Sequence, residues 1–224
     1  MPSILSGNAL KIIAAIAMLI DHMGVLFFPG NIHLRIIGRL AYPIYAYMIA
    51  EGCKYTRSRL RYFLSLFLLG AVCQIVYFLV DGSLYFSILI TFSLSILTVY
   101  ALDSFKTAPS PLSGLILALA LCTVYGLNRA FTIDYGFWGC MVPVLVSLPH
   151  GTKHDTKPVS LVLLALGLIL LAWDTGFPQP YALLALVPLS LYSGKRGKWR
   201  MKYFFYIFYP AHLALLQALA WLWA

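Results

Sequence analysis

The chain has 224 residues, 62% of them hydrophobic and only 10% charged, with 16 Lys and Arg against 7 Asp and Glu for a formal net charge of +9. A soluble domain carries roughly 25% charged residues, so this composition, with a mean hydropathy of +0.87, excludes one and defines a polytopic membrane protein. The basic surplus lies in loops, where it sets topology and does not point to nucleic acid.

Apolar runs place membrane spans at about 8–28, 36–52, 62–80, 85–102, 112–127, 134–149, 159–173, 181–193 and 202–223. The expected fold class is all-α: a helical bundle of about nine transmembrane helices, forming one integral domain over residues 1–224. The first span carries Asp21 and His22 side by side in apolar sequence. Ionisable groups are costly in hydrocarbon, so such a pair is a candidate functional site that faces protein or water. At helical spacing Asn8, Lys11, Ala15, Met18 and His22 form one stripe, with Asp21 about 100° round from His22.

In the second span Arg35, Arg39, Pro43, Tyr47 and Glu51 recur at every fourth residue and give a second polar face. On a continuous helix Arg39 and Glu51 lie about 18 Å apart and mark opposite ends. Arg39 is then level with Asp21 and His22, which allows an Asp21–Arg39 ion pair. Such a pair can serve chemistry or simply join two helices. Glu51, the one Glu of the chain, either joins a site or neutralises the basic loop that follows it.

That loop holds Lys54, Arg57, Arg59 and Arg61, and the loop before the last span holds Lys195, Arg196, Lys198, Arg200 and Lys202. Both are cytoplasmic by the positive-inside rule, which with nine spans places the N-terminus in the cytoplasm, and the loop with Lys153 and Lys157 also falls inside. The alternate loops, with Asp81, Arg129, Asp134 and Asp174, fall outside; His33 and Arg35 in the first outer loop run against the rule. Asp21-His22 interrupts the first apolar run, unlike a cleaved signal peptide. Three cysteines, Cys73, Cys122 and Cys140, fall in spans and Cys53 at a cytoplasmic end, so no disulfide is expected. No Cys/His metal spacing, P-loop or dinucleotide fingerprint occurs, so neither a metal nor nucleotide hydrolysis is expected.

The last span reads Lys202-Tyr-Phe-Phe-Tyr206-Ile-Phe-Tyr209-Pro210-Ala-His212. Tyr206, Tyr209 and His212 step round one face, and Pro210 removes a backbone hydrogen bond beside His212. An imidazole accepts a proton from an attacking amine or hydroxyl, and an adjacent carboxylate orients it. Trp173, Trp199, Trp221 and Trp223 read as interfacial anchors, and Asp134 as an outer mouth or a helix cap.

Four segments resemble the TraX family in the same order: Leu10-Lys-Ile-Ile-Ala through Ile-Asp-His-Met-Gly24, Arg35-Ile-Ile-Gly-Arg-Leu-Ala-Tyr-Pro through Glu-Gly52, Tyr181 through Gly197, and Lys202 through Leu213. The resemblance covers nearly the whole chain. It implies a compact relative of multi-span bacterial acyltransferases in the cytoplasmic (inner) membrane, using acetyl-CoA as acyl donor. The acceptor it implies is an amine or hydroxyl of a peptide, glycan or small molecule. Carried onto matching positions, it points to Asp21, His22, Arg39, Glu51, Tyr209 and His212. One departure is Ser83, where the family leads one to expect Asn. The expected catalytic set is His22, Asp21, Arg39 and His212. Glu51, Tyr209, Tyr42 and Arg35 are expected to bind the acceptor, and Arg57 and Lys202 the phosphates of coenzyme A. A proton-coupled transporter is the alternative, since buried Asp, His and Arg also build proton relays. A structural or assembly protein is the third reading.

Overall fold

The computed structural model describes residues 4–82, 84–198 and 201–223. Ser83, Trp199 and Arg200 lie outside the described residues, as do the side chains of Asp81, Lys202 and Trp223. The described residues are all-helical, without a strand longer than an isolated bridge. Six helices are long and apolar enough to cross a membrane, as expected of a helical membrane protein. The chain divides into two compact units, one of residues 1–45 and 175–224, the other of residues 46–174.

The first unit begins with α1 (Gly7–Leu26), capped by the Ser6 hydroxyl, which accepts from Ala9 N. The next orphan donors of the helix start, Gly7 N and Asn8 N, donate to the carbonyls of Lys195 and Arg196 at 2.8 and 3.0 Å. The basic turn is therefore built onto the start of α1. Gly197 makes that contact possible: its φ is +99° and a Cβ there would press on Ser6 and Asn8. α2 (Ile32–Gly38) starts at an Asn31 cap and packs along α1, with Gly24 admitting Leu34.

Here the structure corrects the sequence reading of the second span. It is two helices, α2 and α3 (Ala41–Tyr55), separated at Arg39 and Leu40. Pro43 explains the break, because it lacks the N–H that would bond the Arg39 carbonyl and its ring collides with that carbonyl in a continuous helix. In the first turn of α3 the missing N–H costs nothing. The stripe from Arg35 to Glu51 thus does not lie on one helix. A second correction concerns 181–193, read as a span: it holds a 3-10 helix, Gln179–Ala185, and the short α9 (Leu186–Ser190). Together these rise about 20 Å, well short of a bilayer. Pro178, Pro180 and Pro188 each withhold a donor from any continuous α-helix there. The unit closes with α10 (Lys202–Trp223), which packs on α1.

The second unit comprises the rest of α3, then α4 (Arg59–Asp81), α5 (Ile88–Thr107), α6 (Pro111–Ala130), α7 (Gly136–Ser147) and α8 (Lys157–Thr175). α5 is its centre, packed by α4, α6 and α7. Its buried Ser93, Ser95 and Thr98 return their hydroxyl protons to carbonyls one turn back, and Ser95 also reaches Cys140 O at 2.8 Å. Small side chains bring the helices close without orphan polar atoms at those positions. α4 and α6 turn outward Leu68, Val72, Ile75, Leu79, Leu112, Leu115 and Leu119, which suits a face toward lipid.

At one end of this unit Lys106 Nζ donates to the carbonyls of Ser147 and His150, at 3.3 and 2.6 Å, closing the last turn of α7. Lys54 pairs with Asp155 at 2.8 Å. Burial pushes the half-buried His150 ring down to about 4; Lys54 and Lys106 act in the same direction and Asp155 against it. The folded ring therefore stays neutral while the unfolded chain takes up a proton below 6.5. Stability conferred by the neutral ring is complete above 6.5 and is lost as pH falls from there toward 4. Thermal unfolding in detergent across that range should show the decline, and His150→Gln should flatten it.

Candidate functional site

The polar side chains of the first unit converge where α1, α2, the 3-10 helix and α10 meet. Asp21 Oδ2 accepts from two guanidiniums at once, Arg35 Nη1 at 2.8 Å and Arg39 Nη2 at 2.7 Å. The ion pair that the sequence allowed is present, and Arg35 joins it. Arg39 sits at the C-cap of α2, 9% exposed, and its Nη1 donates to Gln179 Oε1 at 3.2 Å. Gly38 is what lets Asp21 approach: a Cβ there would overlap the Asp21 carboxylate.

The second group is a pair of histidines. His22 Nδ1 lies 2.9 Å from the Met18 carbonyl and 3.3 Å from His212 Nε2. His212 Nδ1 lies 2.7 Å from the Phe208 carbonyl. A carbonyl only accepts, so His212 carries its proton on Nδ1, and in the neutral ring the lone pair sits on Nε2. That lone pair accepts from His22 Nδ1–H, which is shared with Met18 O. The consequence is chemical: neutral His22 presents its basic lone pair on Nε2. His212 is held flat on Phe208, the ring centroids 4.8 Å apart and 7° from parallel, and meets Tyr209 edge-on at 5.8 Å.

This arrangement corrects one expectation. Asp21 does not orient His22; its carboxylate is turned to Arg35 and Arg39, and His22 takes its orientation from Met18 and His212. Adjacent residues on a helix point about 100° apart, which separates the two functions. Of the other sequence candidates, Tyr42 is buried in the first unit at 2% exposure and Tyr209 lies beside His212. Glu51 and the exposed Arg57 belong to the second unit and are not part of this cluster. The side chain of Lys202 lies outside the described residues. Gln179 was missed. An amide between Pro178 and Pro180 in apolar sequence stood out no more than Gln74 or Asn128, and only its contact with Arg39 distinguishes it.

Fold and cluster together define a polytopic helical membrane protein in which a pair of contacting histidines adjoins a carboxylate shared by two guanidiniums. The family model described as TraX protein matches residues 6–220, and the chain belongs to the TraX family. It is also 29% identical to the "Probable fimbrial assembly protein FimC, serogroup H1" of Dichelobacter nodosus over a 242-residue alignment covering 94% of each chain. No solved structure matches.

Breaking a buried ion pair from one side costs about 3–5 kcal/mol. Gly38→Ala should destabilise the protein by a free energy of that order, as Asp21→Asn does, read as a lower melting temperature in detergent. The double variant should lose little more than either single one, because both act on the same carboxylate; additive losses would place Gly38 outside the clamp.

Proposed function

We propose that this protein is a membrane-embedded acyltransferase that moves an acetyl group from acetyl-CoA to an amine or hydroxyl of a membrane-associated or exported acceptor. The observation that carries this reading is the His22–His212 pair, which leaves His22 Nε2 as an oriented base with no protein group bonded to it among the described residues. In the proposed reaction the acceptor's lone pair adds to the thioester carbonyl carbon while His22 Nε2 takes the proton from the attacking N–H or O–H. The carbonyl π pair moves onto oxygen and returns to expel the coenzyme A thiolate. The proton on Nε2 is then delivered to that sulfur, giving the acetylated acceptor and coenzyme A thiol. While His22 is protonated, His212 Nε2 holds the proton on His22 Nδ1 and spreads the positive charge over two rings. Arg39 supplies positive charge for the developing oxyanion, and Asp21 and Arg35 hold Arg39 in place.

The same reading sets the chain in the bacterial cytoplasmic membrane. Tyr42, Tyr209 and Arg35 of the first unit are proposed to contact the acceptor; Glu51, in the second unit, is a separate candidate for that role. Arg57 and Lys202, each in a basic stretch of sequence, are proposed as candidates to draw in the phosphates of coenzyme A. The fimbrial relative supports a second reading, in which the chain serves assembly of a surface polymer, either by modifying a subunit or as a structural component.

Purified protein should release coenzyme A from acetyl-CoA slowly, and faster when a membrane extract supplies acceptor. His22→Ala should reduce the rate by at least about 10²-fold, the size of a general base contribution, and His212→Ala by less, with both variants folded. No release, and no protection by coenzyme A against thermal unfolding, overturns the acyltransferase reading. A folded His22→Ala variant that still releases coenzyme A at the wild-type rate removes His22 from the chemistry.

A further inference from the structure

Gln179 is the one side chain of the cluster to which the mechanism above gives no task. It opens the 3-10 helix and is 4% exposed. Its Oε1 accepts from Arg39 Nη1, and because a guanidinium has no acceptor the amide can be oriented only this way, with Nε2 turned from Arg39. Nε2 is buried and has no hydrogen-bond partner. An orphan amide donor inside apolar surroundings is costly, and more so in a membrane, where water does not rescue it.

The charges around it point the same way. Two guanidiniums share a single carboxylate oxygen, so the cluster of Asp21, Arg35 and Arg39 carries one surplus positive charge. Asp21 does not take up this donor: its Oδ2 is engaged twice by the arginines, and its Oδ1, itself buried without a hydrogen-bond partner, is packed against Gly38. An orphan donor and a surplus cation require the same thing, an oxygen that accepts hydrogen bonds and gains negative charge.

We propose that Gln179 Nε2, together with Arg39, forms the subsite for the carbonyl oxygen of the acyl group in transfer. The proposal rests on the acyl-transfer reading. When the acceptor adds to the carbonyl carbon, the π pair moves onto this oxygen, and Nε2–H donates to it. When the pair returns, the C–S bond breaks and the thiolate leaves with the proton supplied from His22 Nε2. Gln179 then contributes more to the charged state than to the neutral thioester, which makes it a determinant of rate and less of binding.

Gln179→Glu separates this role from a structural one. The variant keeps an oxygen facing Arg39 and strengthens that contact, while it removes the donor and cancels the surplus charge. Its rate of coenzyme A release should fall about 10²- to 10³-fold, the loss typical of one oxyanion donor, with a far smaller change in KM. Turnover near the wild-type rate overturns the subsite and leaves Gln179 as a support for Arg39. A second measurement needs no variant: the unsubstituted protein should bind acetonyl-coenzyme A, which keeps the carbonyl, about fivefold more tightly than S-propyl-coenzyme A, which lacks it, as one satisfied donor predicts. Equal binding overturns the proposal. If the unsubstituted protein releases no coenzyme A and binds neither analogue, the acyl-transfer reading fails and the subsite fails with it.

Discussion

One carboxylate oxygen organises the first unit. Asp21 Oδ2 is the common partner of Arg35 and Arg39, and none of the three charges is tolerable in apolar surroundings without the others. Several local features exist to satisfy that demand. Gly24 and Gly38 bring α1 and α2 within reach, Pro43 breaks the second span so that Arg39 falls at the end of α2, and the 3-10 helix delivers Gln179 to Nη1 of the guanidinium. The clamp is therefore both a joint between helices and a fixed source of positive potential. These are not competing descriptions, since the rigidity demanded by the first supplies the orientation needed by the second.

Because Asp21 is committed to arginines, His22 takes its orientation by another means. Both histidines use the same device: each ring nitrogen Nδ1 points back to the carbonyl four residues earlier, Met18 for His22 and Phe208 for His212. A helix supplies that carbonyl wherever it runs, so the device needs no second buried charge. It fixes one tautomer in each ring, and the contact between the rings passes that choice from α10 to α1. In the proposed reaction His212 thus takes the place that a carboxylate takes in other acid–base pairs, at lower electrostatic cost inside a membrane.

Much of this was legible in the sequence, and what was not has definite physical reasons. Six long apolar helices follow from the length and hydropathy of their runs. The pairing of Asp21 with Arg39 was legible because opposite charges in hydrocarbon have few alternatives. Adjacency of Asp21 and His22 was misleading, since neighbours on a helix diverge. Pro43 contained the break in the second span, but the four-residue recurrence of Arg35, Arg39, Tyr47 and Glu51 reads as a stronger helical signal than one proline reads as a stop. Residues 181–193 are apolar enough to pass as a span, and periodicity does not separate a 3-10 segment from an α-helix; the spacing of Pro178, Pro180 and Pro188 was the better guide. His22 and His212 were each legible as buried histidines, but their direct contact joins residues at opposite ends of the chain and no local pattern shows it.

The two units handle buried polarity differently, and the difference bears on function. In the second unit the hydroxyls of Ser93, Ser95 and Thr98 on α5 return to carbonyls of their own helix or of α7, and Lys106 closes a helix end. Such groups are complete and serve packing. An orphan atom alone is weak grounds for a ligand: Ser87 Oγ and Asn128 Oδ1 are also buried without partners, and a trapped water satisfies atoms of that kind. Gln179 differs because its free donor borders the net positive charge of Asp21, Arg35 and Arg39 and belongs to the same hydrogen-bonded chain as Asp21, next in sequence to His22. Water is neutral and leaves the surplus charge as it finds it. An oxygen that becomes negative during a reaction satisfies the donor and the charge together, and only while the reaction is under way.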